Sequence, residues 1–477
     1  MVAMVFVIGL FMDLLDTTIV NVALPTFATT FGKPGSVASN QNIEWVVTAY
    51  LLSLAVWIPA SGWLGDRFGT KRIFMLALFL FTTGSILCGE AQSLNQLIFF
   101  RVIQGIGGGM LTPVGTAMLF RAFPPHERAK ASAVLVVPIA IAPAIGPVLG
   151  GLLVDGPGWR WIFRVNIPIG ILGLVLAWRF LQEHTEDNPG RFDIVGFILS
   201  GAGLPILLFG LSKGPSEGWS SLPVLGPIAI GVIMLAVLIW YELHIEEPLL
   251  ALRLFGNRLF RSTNVANFMM LGGLIGVLFV LPLFLQQLRG LSATQSGLAT
   301  FPQAIGMVVT ARFASRIYPK IGPRRMAMAG MFMTAALTFG FVFIGMETDL
   351  WWIRGLMFGR GVAMGIAMIP MQAAMFAQIS RRDSGQASAL SQTNRQVAGS
   401  IAVAILATVL TIRTTAHMPD LAQRTEATVT AARLSGFHDA YFVGAVLALL
   451  GAVAAAFIND QDAAPSMSAA NAQPQGH

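Results

Sequence analysis

Fourteen apolar stretches, each ended by turn-forming or charged residues, leave this chain very few folds. They lie near 3–24, 43–64, 73–91, 96–119, 130–154, 160–181, 193–212, 223–244, 262–287, 295–318, 326–346, 352–378, 386–412 and 438–458. A hydrocarbon layer of ~30 Å takes about 20 apolar residues of helix to cross. Inside that layer every backbone amide must find its partner within the segment, so the runs read as membrane-spanning helices. Composition agrees, with 55% hydrophobic and 11% charged residues, where soluble domains carry roughly a quarter charged residues. The 477 residues hold these spans and no sizeable soluble domain.

The formal net charge of +7 would suggest nucleic acid as the partner of a soluble protein. Here the cations lie in short loops between apolar runs. Retention of Lys and Arg on the cytoplasmic side accounts for them, and no nucleic acid is expected. With the N-terminus inside, 18 of the 30 Lys and Arg fall in inner loops, nine in outer loops, and Arg101, Arg360 and Arg395 within spans. That bias predicts a multi-pass protein with both termini cytoplasmic, and the plasma (bacterial inner) membrane is its expected location. The first run has no basic residues ahead of it and contains Asp13 and Asp16, so it reads as a span and not a signal peptide. Its abrupt start predicts a natural beginning further upstream. Cys88 is the single cysteine, so neither a disulfide framework nor a cysteine metal site is expected.

Between the second and third runs sits GWLGDRFGTKR (62–72). Gly62, Gly65 and Gly69 allow two helices to approach closely, while Asp66, Arg67, Lys71 and Arg72 can latch a moving pair. SRIYPKIGPRR (315–325) echoes this loop, and RRDSGQASALSQTNRQVAGS (381–400) echoes HERAKASAVLVVPIAIAPAIG (126–146). Aligning the echoes pairs spans 1–6 with spans 9–14 and leaves two spans inserted, a plan with a central cavity that recurs among transporters. The expected divisions are an N-terminal six-helix half (1–182), a linker with two inserted helices (183–261), a C-terminal six-helix half (262–458) and a disordered cytoplasmic tail (459–477).

Asp13 and Asp16 lie mid-span in the first helix, where an ionised carboxylate costs about 2.5–3.5 kcal/mol on insertion scales. Such a group must face water, find a cation or bind a proton, and burial favours the protonated form of a carboxyl group. Three-residue spacing puts both acids on one helix face. Arg101 in the fourth span lies at a similar depth and is the natural counter-charge, with Gln104 one turn on. A proton on Asp16 would weaken that pair and could release a helix; a purely structural salt bridge is the bland alternative. In the fifth span APAIGPVLGG (142–151) carries Gly146, Pro147, Gly150 and Gly151, a small-residue face for tight helix contact beside helix-bending prolines. Asn21, Gln104, Asn264, Asn267, Arg360, Met364 and Asn394 are candidates for a substrate cavity, although methionines more often serve packing. Spans 9–14 contain no mid-membrane acid. No P-loop or HExxH motif occurs, so ATP hydrolysis, metal and organic cofactors are not expected.

These motifs resemble the major facilitator superfamily, in particular its fourteen-helix drug:proton antiporter branch (EmrB/QacA-like). LDTTIVNVALP (15–25), GWLGDRFGTKR, LIFFRVIQGIGGG (97–109), APAIGPVLGG and WRWIFRVNIPIG (159–170) carry the resemblance in order. It implies an all-α membrane protein of that fold, with 14 transmembrane helices in two six-helix halves plus two inserted central helices. It further implies proton-coupled export of amphipathic small molecules by alternating access, powered by the proton gradient. Asp16 would carry the proton, Arg101 would assist, and Asp66, Arg67 and Arg72 would latch the cytoplasmic gate. Ala142 replaces the antiporter motif's first glycine, and Pro319 stands where the second-half loop would match Asp66. Expected partners are protons, an amphipathic substrate, the lipid bilayer and, in a Gram-negative envelope, a periplasmic adaptor protein. Two alternatives stay open: a lipid or glycolipid exporter of the same fold, and a membrane-embedded enzyme. The histidines at 126, 184, 244, 417, 438 and 477 form no cluster that would favour the enzyme.

Overall fold

The computed structural model describes residues 1–31, 43–187, 189–418 and 425–467. The described residues are helices joined by short turns: α1 (Val2–Phe31), α2 (Trp45–Phe68), α3 (Thr70–Glu90), α4 (Leu94–Ala122), α5 (Arg128–Asp155), α6 (Trp161–Phe180) and α7 (Ile194–Glu217). They continue as α8 (Leu222–Glu242), α9 (Arg258–Leu283), α10 (Pro302–Ile321), α11 (Pro323–Phe339), α12 (Leu350–Met375), α13 (Ser384–Ala416) and α14 (Glu426–Ala455). Among the described residues thirteen helices are long and apolar enough to cross a membrane. The exception is α10, where Arg312, Arg316 and Lys320 lower the hydropathy. Several starts are capped by a side chain that accepts an otherwise unpaired amide, as Ser93 does for Gln96, Asp193 for Gly196 and Asn257 for Phe260.

The fourteen expected runs each have a helix, with shifted ends. The first, expected to stop by residue 24, continues through Pro25 to Phe31. The tenth splits into a short helix, Ala293–Thr300, and α10, with Pro302 in the first turn after the break.

Packing repeats along the chain. α1 lies on α5 and α6, α2 and α3 lie on α4, and α3 lies on α6; eight helices later α9 lies on α13 and α14, α10 and α11 on α12, and α11 on α14. Between these groups α2 and α4 meet α13, while α10 and α12 meet α5. α7 and α8 pack on each other, and α7 also touches α2 and α13. Only 17% of the most apolar stretch of α8 is buried, which leaves most of its surface for lipid.

Two segments expected to be loosely held are docked. In the polar stretch after α6, Glu183 accepts from the Lys71 amide at 3.0 Å and pairs with Arg72 at 3.5 Å, and the Glu186 amide donates to the Asp66 carbonyl. Residues 459–467, read as the start of a disordered tail, also pack. Ala463 and Ser466 are buried, and Tyr318 Oη lies 2.6 Å from Ser466 Oγ. Residues 468–477 lie outside the described residues. The two docked segments do the same job: Glu183 sits over Gly69 (φ 99°) and Asp460 over Gly322 (φ 85°), glycines whose backbone few side chains tolerate.

Candidate functional site

The crossing of α1, α4 and α6 holds a closed polar cluster. Arg101 and Asp16 are almost without solvent contact, at 1% and 0% exposure, and Arg101 Nη1 lies 2.5 Å from Asp16 Oδ2. Gln104 Nε2 donates to Asp16 Oδ1 at 2.8 Å, and Asn166 Nδ2 donates to the same oxygen at 3.0 Å. The guanidinium also donates to Gln104 Oε1 at 2.7 Å and, through Nε, to the Val46 carbonyl at 3.0 Å, with Tyr50's ring 4.1 Å below it. A buried ion pair survives desolvation only when its remaining donors and lone pairs are satisfied, and here nearly all are. The glycines after Arg101 bring the backbones close enough: a Cβ on Gly105 would lie 2.7 Å from the Tyr50 carbonyl, and one on Gly107 would lie 2.5 Å from that of Ala77.

Asp13 shares the face but not the partners. Tyr50 Oη donates to its Oδ1, and Thr112 Oγ1 donates to Oδ2 at 3.3 Å. Hydroxyls can donate to a carboxylate or accept from a carboxylic acid, whereas the guanidinium around Asp16 only donates. The site thus offers a carboxylate fixed by a cation and, one turn away, a carboxyl whose neighbours accommodate either protonation state. Thr112 also lines a cavity between α1, α4, α5, α9, α12 and α13.

The end of the bundle carrying the α2–α3 turn, the near face, is shut. Asp66 Oδ1 takes a 2.7 Å bond from Arg121 Nη2, and Arg121 Nε donates to the Arg381 carbonyl at 2.9 Å. Gly62 meets α13 so closely that a Cβ would lie 2.9 Å from the Gly385 carbonyl. Arg128 donates to the Phe376 carbonyl, and the Phe120 and Phe376 rings stack at 4.3 Å. The partner of Asp66 is therefore Arg121, on another helix. Arg67 is exposed with no ion pair among the described residues, Lys71 Nζ caps the Trp178 carbonyl at 2.8 Å, and Gly65 meets its neighbours at ordinary distances.

The remaining candidates divide. Gly146 and Gly150 press on α1, with prospective Cβ positions 2.2 Å from Thr18 Oγ1 and 3.1 Å from Ile19; Pro147 and Gly151 face the short helix before α10. Asn267 lines the cavity. Asn394 donates to the Asn264 carbonyl, and Asn264 is buried and donates to the Phe260 carbonyl. Asn21 is exposed on α1 and donates to the Thr17 carbonyl. Met364 is fully buried in a packed core, away from the cavity wall. Arg360 is fully buried too, with Gln303, Thr338 and the Gly273 carbonyl as partners. Sequence reasoning passed over Tyr50, Thr112, Asn166 and Arg121. Asn166 stood in a quoted motif, and its amide in an apolar run was the available signal. No group of three or more His, Cys, Asp or Glu able to hold a metal occurs among the described residues.

The fold is that of a polytopic membrane protein, and comparison with known proteins gives its class. The Major Facilitator Superfamily model matches residues 6–403, and the chain belongs to that family. It is 37% identical over 403 residues to the multidrug resistance protein B homolog of Mycobacterium tuberculosis (strain ATCC 25618 / H37Rv), covering 83% of this chain and 73% of that protein. It is 35% identical over 400 residues to the putative multidrug resistance protein MdtD of Serratia proteamaculans (strain 568), covering 83% and 82%. Among solved structures, the human organic anion transporter MFSD10 superposes with a TM-score of 0.66 at 18% identity over 95% of this chain and 98% of that one. The proton:xylose symporter XylE superposes with a TM-score of 0.62 at 16% identity, covering 95% and 94%. At these identities the structures speak for the fold alone. The protein is a multi-pass membrane transporter and not an enzyme.

Proposed function

We propose that this transporter is a proton-coupled exporter of amphipathic small molecules, drugs among them, in the fourteen-helix antiporter branch of its superfamily. The observation that carries the reading is the buried Asp16–Arg101–Gln104–Asn166 cluster, with Asp13 one turn away beside the cavity. Its motifs and the multidrug-resistance names of its relatives support the same reading. A proton reaching Asp16 removes the charge that holds Arg101, and α1 and α4 become free to shift. Asp13, linked to the cavity through Thr112, is the relay by which that proton arrives or leaves. Two six-helix halves, α1–α6 and α9–α14, rock about the central cavity, with α7 and α8 inserted beside them. The repeated packing supports this division.

The near face is assigned to the cytoplasm from the distribution of Lys and Arg. Both termini then lie in the cytoplasm of a bacterial inner membrane. The sealed near face is the state in which cargo has been cut off from the cytoplasm, and breaking the Arg121 contacts admits the next molecule. A periplasmic adaptor would extend the path in a two-membrane envelope.

The test uses purified protein in liposomes with a fluorescent amphipathic dye and an imposed pH difference. Dye should move against the proton flow, and reversing the gradient should reverse its direction. Dye flux indifferent to the gradient would overturn the reading.

A further inference from the structure

The central cavity, about 20 Å³ with the near face shut, is amphipathic, and beside the amides of Gln372 and Gln392 three donors on its polar wall lack an acceptor among the described residues. Arg395, on α13, lines it half-buried, and no carboxylate or other hydrogen-bond acceptor pairs with its guanidinium among the described residues. Two further groups on the same lining are unpartnered: Asn267 Nδ2 and Ser388 Oγ, each on a side chain 2% exposed. Asp13, bonded to Thr112 of the lining, does not itself line the cavity, and its oxygens are committed to Tyr50 and Thr112. Across the space, Phe6, Leu10, Leu135 and Ile139 present only hydrocarbon. A buried donor left without an acceptor costs free energy and a cation costs more, and the acceptor atoms of a bound ligand would offset that cost.

We infer that this cavity, once widened by the proposed rocking of the halves, binds amphiphiles through an anionic head group, a carboxylate, sulfonate or phosphate, held by Arg395, Asn267 and Ser388. The apolar body of the ligand lies against the α1 and α5 wall. A cationic head would face an uncompensated guanidinium, and a neutral carbonyl would leave that charge unanswered. The inference names the cargo class of the proposed exporter and rests on that reading for its biological sense. Binding at equilibrium requires no proton gradient, so the two can fail separately.

The experiment measures fluorescence binding to the full chain in nanodiscs, with empty nanodiscs subtracted. The probes are 1-anilinonaphthalene-8-sulfonate and N-phenyl-1-naphthylamine, the same ring system with and without the sulfonate. The sulfonate should bind about tenfold tighter than the neutral probe, as a charge-assisted contact predicts. Arg395→Gln should abolish that preference while keeping neutral-probe binding, and Arg395→Lys should restore much of it. Where Arg395→Gln loses both probes through misfolding, Ser388→Ala carries the test, with about threefold weaker sulfonate binding and an unchanged neutral probe. Equal affinity of the wild type for both probes overturns the inference. So does a full sulfonate preference in folded Arg395→Gln, or in Ser388→Ala where that variant decides.

Discussion

At the scale of single residues the molecule is organised by the cost of burying charge. Arg101→Ala leaves Asp16 a buried anion with only two amides, and removal of one partner of such a pair typically costs about 3–5 kcal/mol. The double variant Asp16→Asn/Arg101→Gln should recover most of that loss, measured as thermal melting in detergent. A double variant less stable than either single one would contradict the pairing. Asp13→Asn keeps an acceptor for Tyr50, so melting should change little while the pH dependence of transport is blunted. The Asp16–Arg101 contact was legible in the sequence because two opposite charges at matching depth in apolar runs have few other solutions. Tyr50, Thr112 and Asn166 were not. Uncharged polar side chains are common in such helices, and only the rotation of α2, α4 and α6 decides which of them meet the acids.

Among elements, backbone proximity substitutes for the hydrophobic drive that lipid removes. Gly146 meets α1 more closely than Gly150 does, and a Cβ there would lie 2.2 Å from Thr18 Oγ1. Gly146→Leu should destabilise by about 1–3 kcal/mol through overpacking. Gly151→Ala, whose Cβ would meet only the Thr294 hydroxyl at 3.2 Å, should melt close to wild type. Equal effects at the two positions would contradict the assigned contact. The sequence signalled that this face packs tightly, through glycines four apart beside prolines. It did not say that α1 is the partner, because small residues specify closeness and no identity. Likewise the polar stretch after α6 looked like linker, since a run of acids and Gly carries no mark of the turn it clamps; Glu183 is defined by the Lys71 amide and the Arg72 side chain it meets.

For the whole molecule, Arg121 is one of the ties between the two proposed halves, joining Asp66 on α2 to the α12–α13 turn. Arg121→Ala should loosen the near face. With Cys88 replaced by Ser and Gln392, which lines the cavity, changed to Cys as reporter, labelling from that face should quicken several-fold, and an unchanged rate would contradict the gate. Echoed motifs revealed the repeat, but not that the second turn borrows Asp460 from beyond α14. The central claim concerns Asp16, and Asp16→Asn in liposomes tests it most directly. Cargo-for-cargo exchange at equal pH should stay within about threefold of wild type, while accumulation driven by a pH difference falls at least about tenfold, because a neutral amide cannot alternate between charged and uncharged forms. Gradient-driven accumulation equal to that of the wild type would contradict the account.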